Sequence, residues 1–436
     1  MKRTAIYQLL KWEQTSDIKP VLITGAKGVG KTYLAYDFSN AFFKHVLYLN
    51  FEHDPHVAKL FQDEDPTIVS KNLLEHFQKE TEQNSESEPS TKKSKVLILD
   101  EIGHCPKVLE MLTLLQNTGE FPRIIAISSN PIDKEKLKLY NHIPIYPLQF
   151  DEFLVAIGNE WYIETIFTHF ESNKKMPNIV HNELLGLYQL YLQIGGMPGI
   201  INEYLNFNST LNIAEQHNLL MGTYQNYLSQ VNIENDGFKM KQVLDSIALQ
   251  LIKENKKFQY KLIRKGTTHS MYKDPIQSLA DYKYVLPSYK IVTEQLSSLK
   301  EMLIENSFTI NEASHFKLYQ SDVGLLYTML SKESPPPFKN ATAKGLLENY
   351  VAVTLEANGY PIVFWESESM AKVDFMILKK DEIIPIETFV GTNTRSKSIS
   401  ILKQKIDIPY SIKISAKNFD FSNNVKYIPY YASFCL

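Results

Sequence analysis

Cysteine is almost missing from this sequence: Cys105 and Cys435 are the only two in 436 residues. They lie too far apart in sequence to suggest a metal knuckle. With no others present, a disulfide framework is excluded, which points to a reducing compartment. Arginine is nearly as scarce, with Arg3, Arg123, Arg264 and Arg395 set against a far larger number of lysines. The formal net charge of −3 excludes a global basic field, so any nucleic-acid surface must be local. No run of about eighteen uncharged apolar residues occurs, so no transmembrane helix and no membrane partner are expected. The N-terminal MKRTAIYQLLKWEQ starts basic but is broken by Gln8, Lys11 and Glu13. It predicts an amphipathic helix with Tyr7, Leu10 and Trp12 on its buried side, and not a signal peptide. These absences predict a soluble, cytoplasmic protein.

What is present is a globular composition, 44% hydrophobic and 12% aromatic, long enough for two to four compact units. Short apolar runs recur in the first third: VLIT at 21–24, VLYLNF at 46–51, VLIL at 96–99, IIAIS at 124–128 and IPIY at 143–146. Helical patterns separate them, which predicts a parallel sheet covered on both faces. Residues 79–95 are charged, Ser-rich and almost without apolar side chains, and predict a flexible insertion before the third strand. The pattern is helical from about 151 to 230 and mixed to about 332. SPPPF at 334–338 reads as a breaker and linker, and a helix followed by several strands completes the chain.

The most specific motif is GAKGVGKT, Gly25 to Thr32, which follows the apolar run VLIT and opens a helix. Gly25, Gly28 and Gly30 let the backbone curl until its N–H groups point inward at phosphate oxygens. Lys31 is placed to neutralise the β- and γ-phosphates, and the Thr32 hydroxyl to ligand Mg²⁺. The nucleotide-contacting stretch is Gly25, Ala26, Lys27, Gly28, Val29, Gly30, Lys31, Thr32 and Tyr33. About seventy residues on, KVLILDE ends a buried run with Asp100 and Glu101. Asp100 suits a metal-holding role and Glu101 that of general base. After IIAIS, Ser128, Ser129 and Asn130 offer a polar side chain between the acids and the γ-phosphate; Ser129 is the catalytic candidate among them. ATP and Mg²⁺ are the expected ligands.

Arg3 with Tyr7, Leu10 and Trp12, LITGAKGVGKTYLA, YLNFE, LDEIGHCP, YPLQFDEFL, IGGMPGI, ENKKFQYKLIRKG, HFKLYQSDVGLL, KGLLENYV and VDFMIL followed by PIE form an ordered series. In these the chain resembles the prokaryotic AAA-type ATPases that carry a C-terminal domain of unknown function from the PD-(D/E)xK nuclease superfamily. The resemblance implies an α/β P-loop NTPase core over 1–150, a helical lid over 151–230, a winged-helix domain over 231–333 and an α+β restriction-endonuclease-like domain over 338–436. It also implies homo-oligomers with nucleotide between subunits and an arginine supplied by the neighbour, for which Arg123 is the first candidate.

For the C-terminal domain, the resemblance implies metal-binding acids at Glu348, Asp374 and Glu387. The lysine expected two residues after Glu387 is replaced by Phe389, and Lys372 stands where a second acid is usual. Loss of such a group removes about two to four kcal/mol of transition-state stabilisation, so a degenerate nuclease is expected. Lys397 is the alternative migrated lysine, in which case the nuclease is active. In the expected winged-helix region, Lys256, Lys257, Lys261, Arg264 and Lys265 form a basic segment suited to DNA phosphates. The leading expectation is an ATPase whose cycle moves these modules on DNA. Its rival is a nucleotide-gated scaffold that docks a protein.

Overall fold

The computed structural model describes residues 1–15, 19–81, 93–231, 236–310, 315–368 and 371–436. They divide into two compact units, 2–146 and 147–436. The division falls four residues before the expected end of the ATPase core.

In the first unit, strands β1 (Val21–Thr24), β2 (Phe43–Asn50), β3 (Lys93–Asp100), β4 (Ile124–Ser128) and β5 (Asn141–Pro144) form one parallel sheet in the order β2-β3-β4-β1-β5. β3, β4 and β1 are the inner strands, and β1 and β4 are buried along nearly all their length, the pattern of a parallel sheet covered on both faces. The four expected apolar runs β1 to β4 are all found. The fifth strand lies two residues earlier than IPIY. Ile143 pairs with Ile23, and the Ile145 N–H then donates to the Thr24 carbonyl as the strand ends. The N-terminal helix, Ile6–Gln14, is amphipathic as expected but presents a different face. Leu9 and Trp12 are its buried residues, while Tyr7 is 72% exposed. Spacing of three places Leu9 and Trp12 on one stripe, which Tyr7 and Leu10 do not complete. The expected insertion over 79–95 falls only partly on described residues. The helix Pro66–Thr81 and β3 take its two ends, and 82–92 lie outside the described residues.

The second unit begins with helices over 150–156, 161–172, 178–194, 198–207 and 213–231, matching the helical reading of 151–230. Beyond them are two sheets. One is ordered β7-β6-β8-β9, with β6 Val285–Ile291, β7 Phe316–Gln320, β8 Val363–Glu366 and β9 Lys372–Val373. The other is ordered β10-β11-β12-β14-β13, with β10 Phe375–Lys379, β11 Glu382–Thr388, β12 Ser411–Ser415, β13 Asp420–Ser422 and β14 Val425–Pro429. β6 and β8 lie on opposite sides of the expected 334–338 linker, yet they pair in parallel, Tyr289 against Val363. The expected winged-helix and C-terminal regions therefore share a sheet. The helix Asn340–Ala357 is buried at every residue from Gly345 to Leu355, Glu348, Asn349 and Thr354 included, the pattern of a central helix enclosed on all sides.

Glycines join the helical part to this core. At Gly196 a Cβ would lie 2.2 Å from the Leu148 carbonyl oxygen, and at Gly324 it would lie 2.6 Å from that of Ile194. That close approach lets the Asp322 carboxylate accept N–H bonds from Gly196 (2.7 Å), Gly324 (3.0 Å) and Leu325 (3.0 Å). It thus caps the helix Val323–Glu333 and ties down the turn between the helices Asn178–Ile194 and Pro198–Phe207. Burial raises the Asp322 pKa to about 6, against the lowering effect of those three N–H groups.

Two effects of Asp322 are expected in solution. Asp322→Ala leaves three buried N–H groups without an acceptor and should cost about 3 kcal/mol in urea unfolding. The wild-type carboxyl holds its proton more tightly in the fold than in the open chain. The proton-linked part of its contribution to stability is therefore complete below about pH 4 and is lost as pH rises through about 6, whereas the three N–H bonds persist at higher pH. The variant should lack that part of the pH slope.

Candidate functional site

Between β1 and the helix Lys31–Phe42, the loop Gly25–Gly30 turns on positive φ angles at Gly25 (149°), Gly28 (87°) and Gly30 (95°). A Cβ at Gly25 would lie 2.2 Å from the Ile145 carbonyl oxygen, so only glycine passes this point. Ala26 and Val29 are buried beneath the loop. Lys27 extends sideways to an ion pair with Glu52, and Tyr33 is exposed. Arg3 supports the loop from below: its guanidinium donates to the Val29 carbonyl at 2.7 Å and to the Tyr146 carbonyl.

Lys31 is buried, and its ammonium donates to the carbonyls of Gly25 (3.1 Å) and Ala26 (3.0 Å) and to Ser129 Oγ (2.7 Å). Burial lowers its pKa, opposed by the charges of Glu101 and Asp100. The parallel register sets Asn50 of β2 directly beside Asp100 of β3. Asp100 Oδ2 then accepts from Thr32 Oγ1 (2.8 Å), Tyr48 Oη (2.7 Å) and Asn50 Nδ2 (3.3 Å). Burial, with the Asp100 charge adding to it, raises the Tyr48 phenol well above its usual pKa, so Tyr48 remains a neutral donor.

Glu101 follows in the left-handed region, φ 52°. This unfavourable backbone conformation for a non-glycine residue turns its side chain toward β4. There Ser129 holds it twice: the backbone N–H donates to Oε2 (3.0 Å) and the hydroxyl to Oε1 (2.5 Å). Lys31, Ser129 and Glu101 thus form one hydrogen-bonded chain. Of the three polar residues after β4, Ser129 is the one that joins the site. Ser128 Oγ donates to the Asn130 carbonyl, and the Asn130 side chain packs over Gly103. Tyr48 and Asn50 were not anticipated as site residues. Their signal in the sequence is the stretch YLNFE, whose polar members stand at the carboxyl end of a buried strand.

The Thr32 hydroxyl and Asp100 carboxylate, in direct contact, offer the hard oxygen ligands that Mg²⁺ prefers, with neutral groups as their other partners. This donor set fits the ion. The arginine expectation needs correcting. Arg123 is buried, its guanidinium lies over the Trp12 ring at 5.1 Å, and it donates to the Glu13 and Thr15 carbonyls. It anchors the N-terminal helix within its own unit and is not free to act in a neighbour.

The C-terminal acids come together, but with cations already between them. Glu348, on the helix Asn340–Ala357, accepts from Lys317 Nζ (2.9 Å) and Tyr319 Oη (3.0 Å), with Lys256 at 3.6 Å. Asp374 Oδ2 accepts from Lys344 Nζ (2.6 Å) and from the Thr388 N–H (2.7 Å) and hydroxyl (2.9 Å). Glu387 pairs with Lys413 at 3.6 Å, its direct neighbour across β11 and β12. Against the cost of burial, Lys317, Lys256 and Lys344 hold the Glu348 pKa below the ordinary carboxylate range. Burial raises that of Glu387, opposed by Ser396 and Lys413. The Phe389 ring stands where a lysine was expected. Two ammonium groups flank it, Lys344 at 5.8 Å and Lys413 at 5.3 Å. Lys397 is exposed; its neighbour Ser396 is the residue that donates to Glu387. Among the described residues, no group of three or more histidine, cysteine or acidic side chains is placed to hold a metal ion. This donor set does not fit a divalent cation.

The basic segment also departs from expectation. Lys256 is 6% exposed and serves Glu348, and Lys257 is ion-paired to Glu366. Their short loop folds under β7, where Phe258 stacks on Phe316. Lys261, Arg264 and Lys265 remain exposed.

The parallel sheet, the glycine loop and the paired acid residues define an α/β nucleotide-binding unit of the P-loop class. Residues 17–154 match the family model described as "AAA domain", so the chain carries an AAA-type P-loop domain. Residues 185–335 and 343–432 match models described only as domains of unknown function (DUF8612 and DUF4143). No curated protein matches the chain. Among solved structures, PCH-2 of C. elegans aligns at 15% identity with a TM-score of 0.22, over 36% of this chain and 45% of that one. The chain thus spans under half the length of that protein.

Ser129→Ala keeps the backbone donor to Glu101 and removes the hydroxyl link to Lys31. We expect ATP turnover to fall about tenfold or more, with nucleotide affinity nearly unchanged, in a comparison of steady-state rates with equilibrium binding.

Proposed function

We propose that this chain is a Mg²⁺-dependent ATPase, with Lys31 as phosphate ligand, Thr32 and Asp100 as metal holders and Glu101 as general base. The observation that carries the reading is the hydrogen-bonded chain from Lys31 through Ser129 to Glu101, beside the Thr32–Asp100 contact. Lys31 now donates to two neutral backbone carbonyls. Phosphate oxygens are charged acceptors and draw the ammonium away from them. Ser129 keeps its hold on Glu101 as Lys31 turns to phosphate, so the residue that takes a proton from water stays oriented while its ammonium neighbour is drawn away. Bound with ATP, Mg²⁺ supplies neutralisation of phosphate charge.

On the same reading, nucleotide sits between copies of the chain in a homo-oligomer. Arg264 and Arg395 are the exposed arginines and so the remaining candidates for the one supplied to a neighbour's site. The rest of the chain would consist of the helical lid, a winged-helix module and a nuclease-like domain that no longer cuts. Contact with DNA would rest on Lys261, Arg264 and Lys265 alone, since Lys256 and Lys257 are occupied internally. That occupation favours the rival in which the module docks a protein.

Lys31→Ala should abolish phosphate release, and Glu101→Gln should lower it about 100-fold or more while preserving ATP binding. Undiminished turnover in Lys31→Ala would sink the proposal. Stimulation by duplex DNA that fades with salt and is lost on replacing Lys261, Arg264 and Lys265 would support the DNA branch. Turnover indifferent to DNA would support the docking branch.

A further inference from the structure

At the mouth of the C-terminal acid cluster is a cavity of about 330 Å³, with Glu348, Asp374 and Lys344 in its wall. In a nuclease-like fold this is where divalent cations would gather, held by carboxylates and exposed to substrate phosphate. The residues here oppose that chemistry. The Lys344 ammonium lies 2.6 Å from Asp374 Oδ2, 3.7 Å from Glu348 Oε1 and 2.5 Å from Thr388 Oγ1, and it also donates to the Thr388 carbonyl. Its hydrogen-bond and ion-pair partners are all oxygens, the surroundings that a hard cation seeks. Lys344 and Glu348 lie four residues apart on one helix, so the helix itself carries the ammonium to the acids.

We infer that Lys344 is a built-in cation: it takes the place of a divalent metal between Asp374 and Glu348 and keeps this pocket metal-free. This rests on the reading of the C-terminal domain as nuclease-like, and it supplies the physical cause of its inertness. A divalent ion approaching these oxygens meets the Lys344 ammonium at close range, so Coulomb repulsion and competition for the same lone pairs weaken its binding. Asp374 Oδ2 is filled by Lys344 and by both donors of Thr388. Removing the ammonium while leaving the acids should therefore convert the pocket into a cation site.

The test uses the full chain carrying Asp100→Asn, so that the nucleotide site takes no metal, and Mn²⁺ alone as the probe, followed by electron paramagnetic resonance. The Asp100→Asn chain should bind no Mn²⁺ in the acid pocket. Adding Lys344→Met, which keeps the side-chain length, should create one site at least about tenfold tighter than any background uptake. A further Asp374→Asn should remove it. A folded Lys344→Met chain with no gain in Mn²⁺ would overturn the inference. So would Mn²⁺ uptake by the Asp100→Asn chain that disappears on Asp374→Asn, a comparison that stands even if Lys344→Met fails to fold. Cleavage of plasmid DNA by the unaltered chain with Mg²⁺ would instead sink the inert-nuclease reading, and is read separately from metal uptake.

Discussion

A carboxylate taken out of water has to find donors or cations within hydrogen-bond reach, and both units of this chain are arranged about that constraint. In the first unit, Asp100 meets it with neutral groups: the hydroxyls of Thr32 and Tyr48, the Asn50 amide and the Glu101 N–H. These donors stabilise the negative charge without cancelling it. In the second unit, Glu348, Asp374 and Glu387 are answered by ammonium groups on Lys317, Lys344 and Lys413. There the charge is neutralised from within.

That difference in partner decides what each cluster can do. Neutral donors leave Asp100 a ligand for an incoming cation, and they can turn away as one arrives. Lysines hold the C-terminal acids in ion pairs that a cation would have to break, leaving charged groups buried and unmatched. Phe389 fits this arrangement. Its ring offers a face to two of the lysines, where a lysine of its own would have added a further positive charge. Two sites rich in acids thus have opposite characters, one whose Asp100 is met by neutral donors and one whose acids are met by lysines.

Close backbone approach is the second constraint, and glycine meets it at two places that matter. Gly25 lets the phosphate loop pass the Ile145 carbonyl. Gly196 and Gly324 bring a helix turn and a helix start together around the buried Asp322 carboxylate. The motifs IGGMPGI and QSDVGLL, more than a hundred residues apart, are two halves of that junction. Each looks unexceptional alone because the partner that explains its glycines is distant in sequence.

The sequence by itself determined the phosphate loop, the acid pair after β3, the first four strands of the parallel sheet and the helical character of 151–230. These are local patterns, in which chain geometry dictates the residues within a few positions. It could not assign Arg123, because a guanidinium looks the same whether it lies over Trp12 or faces solvent. Nor could it separate Lys256 and Lys257 from their exposed neighbours, since a run of lysines carries no mark of burial. The roles of Tyr48 and Asn50 depend on the parallel register of β2 with β3, and that of Lys413 on the register of β11 with β12. Lys344 reads as an ordinary helix lysine until Asp374, thirty positions on, is brought against it. The tertiary structure alone decided which charges meet, because pairing energy depends on distance and burial, and neither is written in the order of residues.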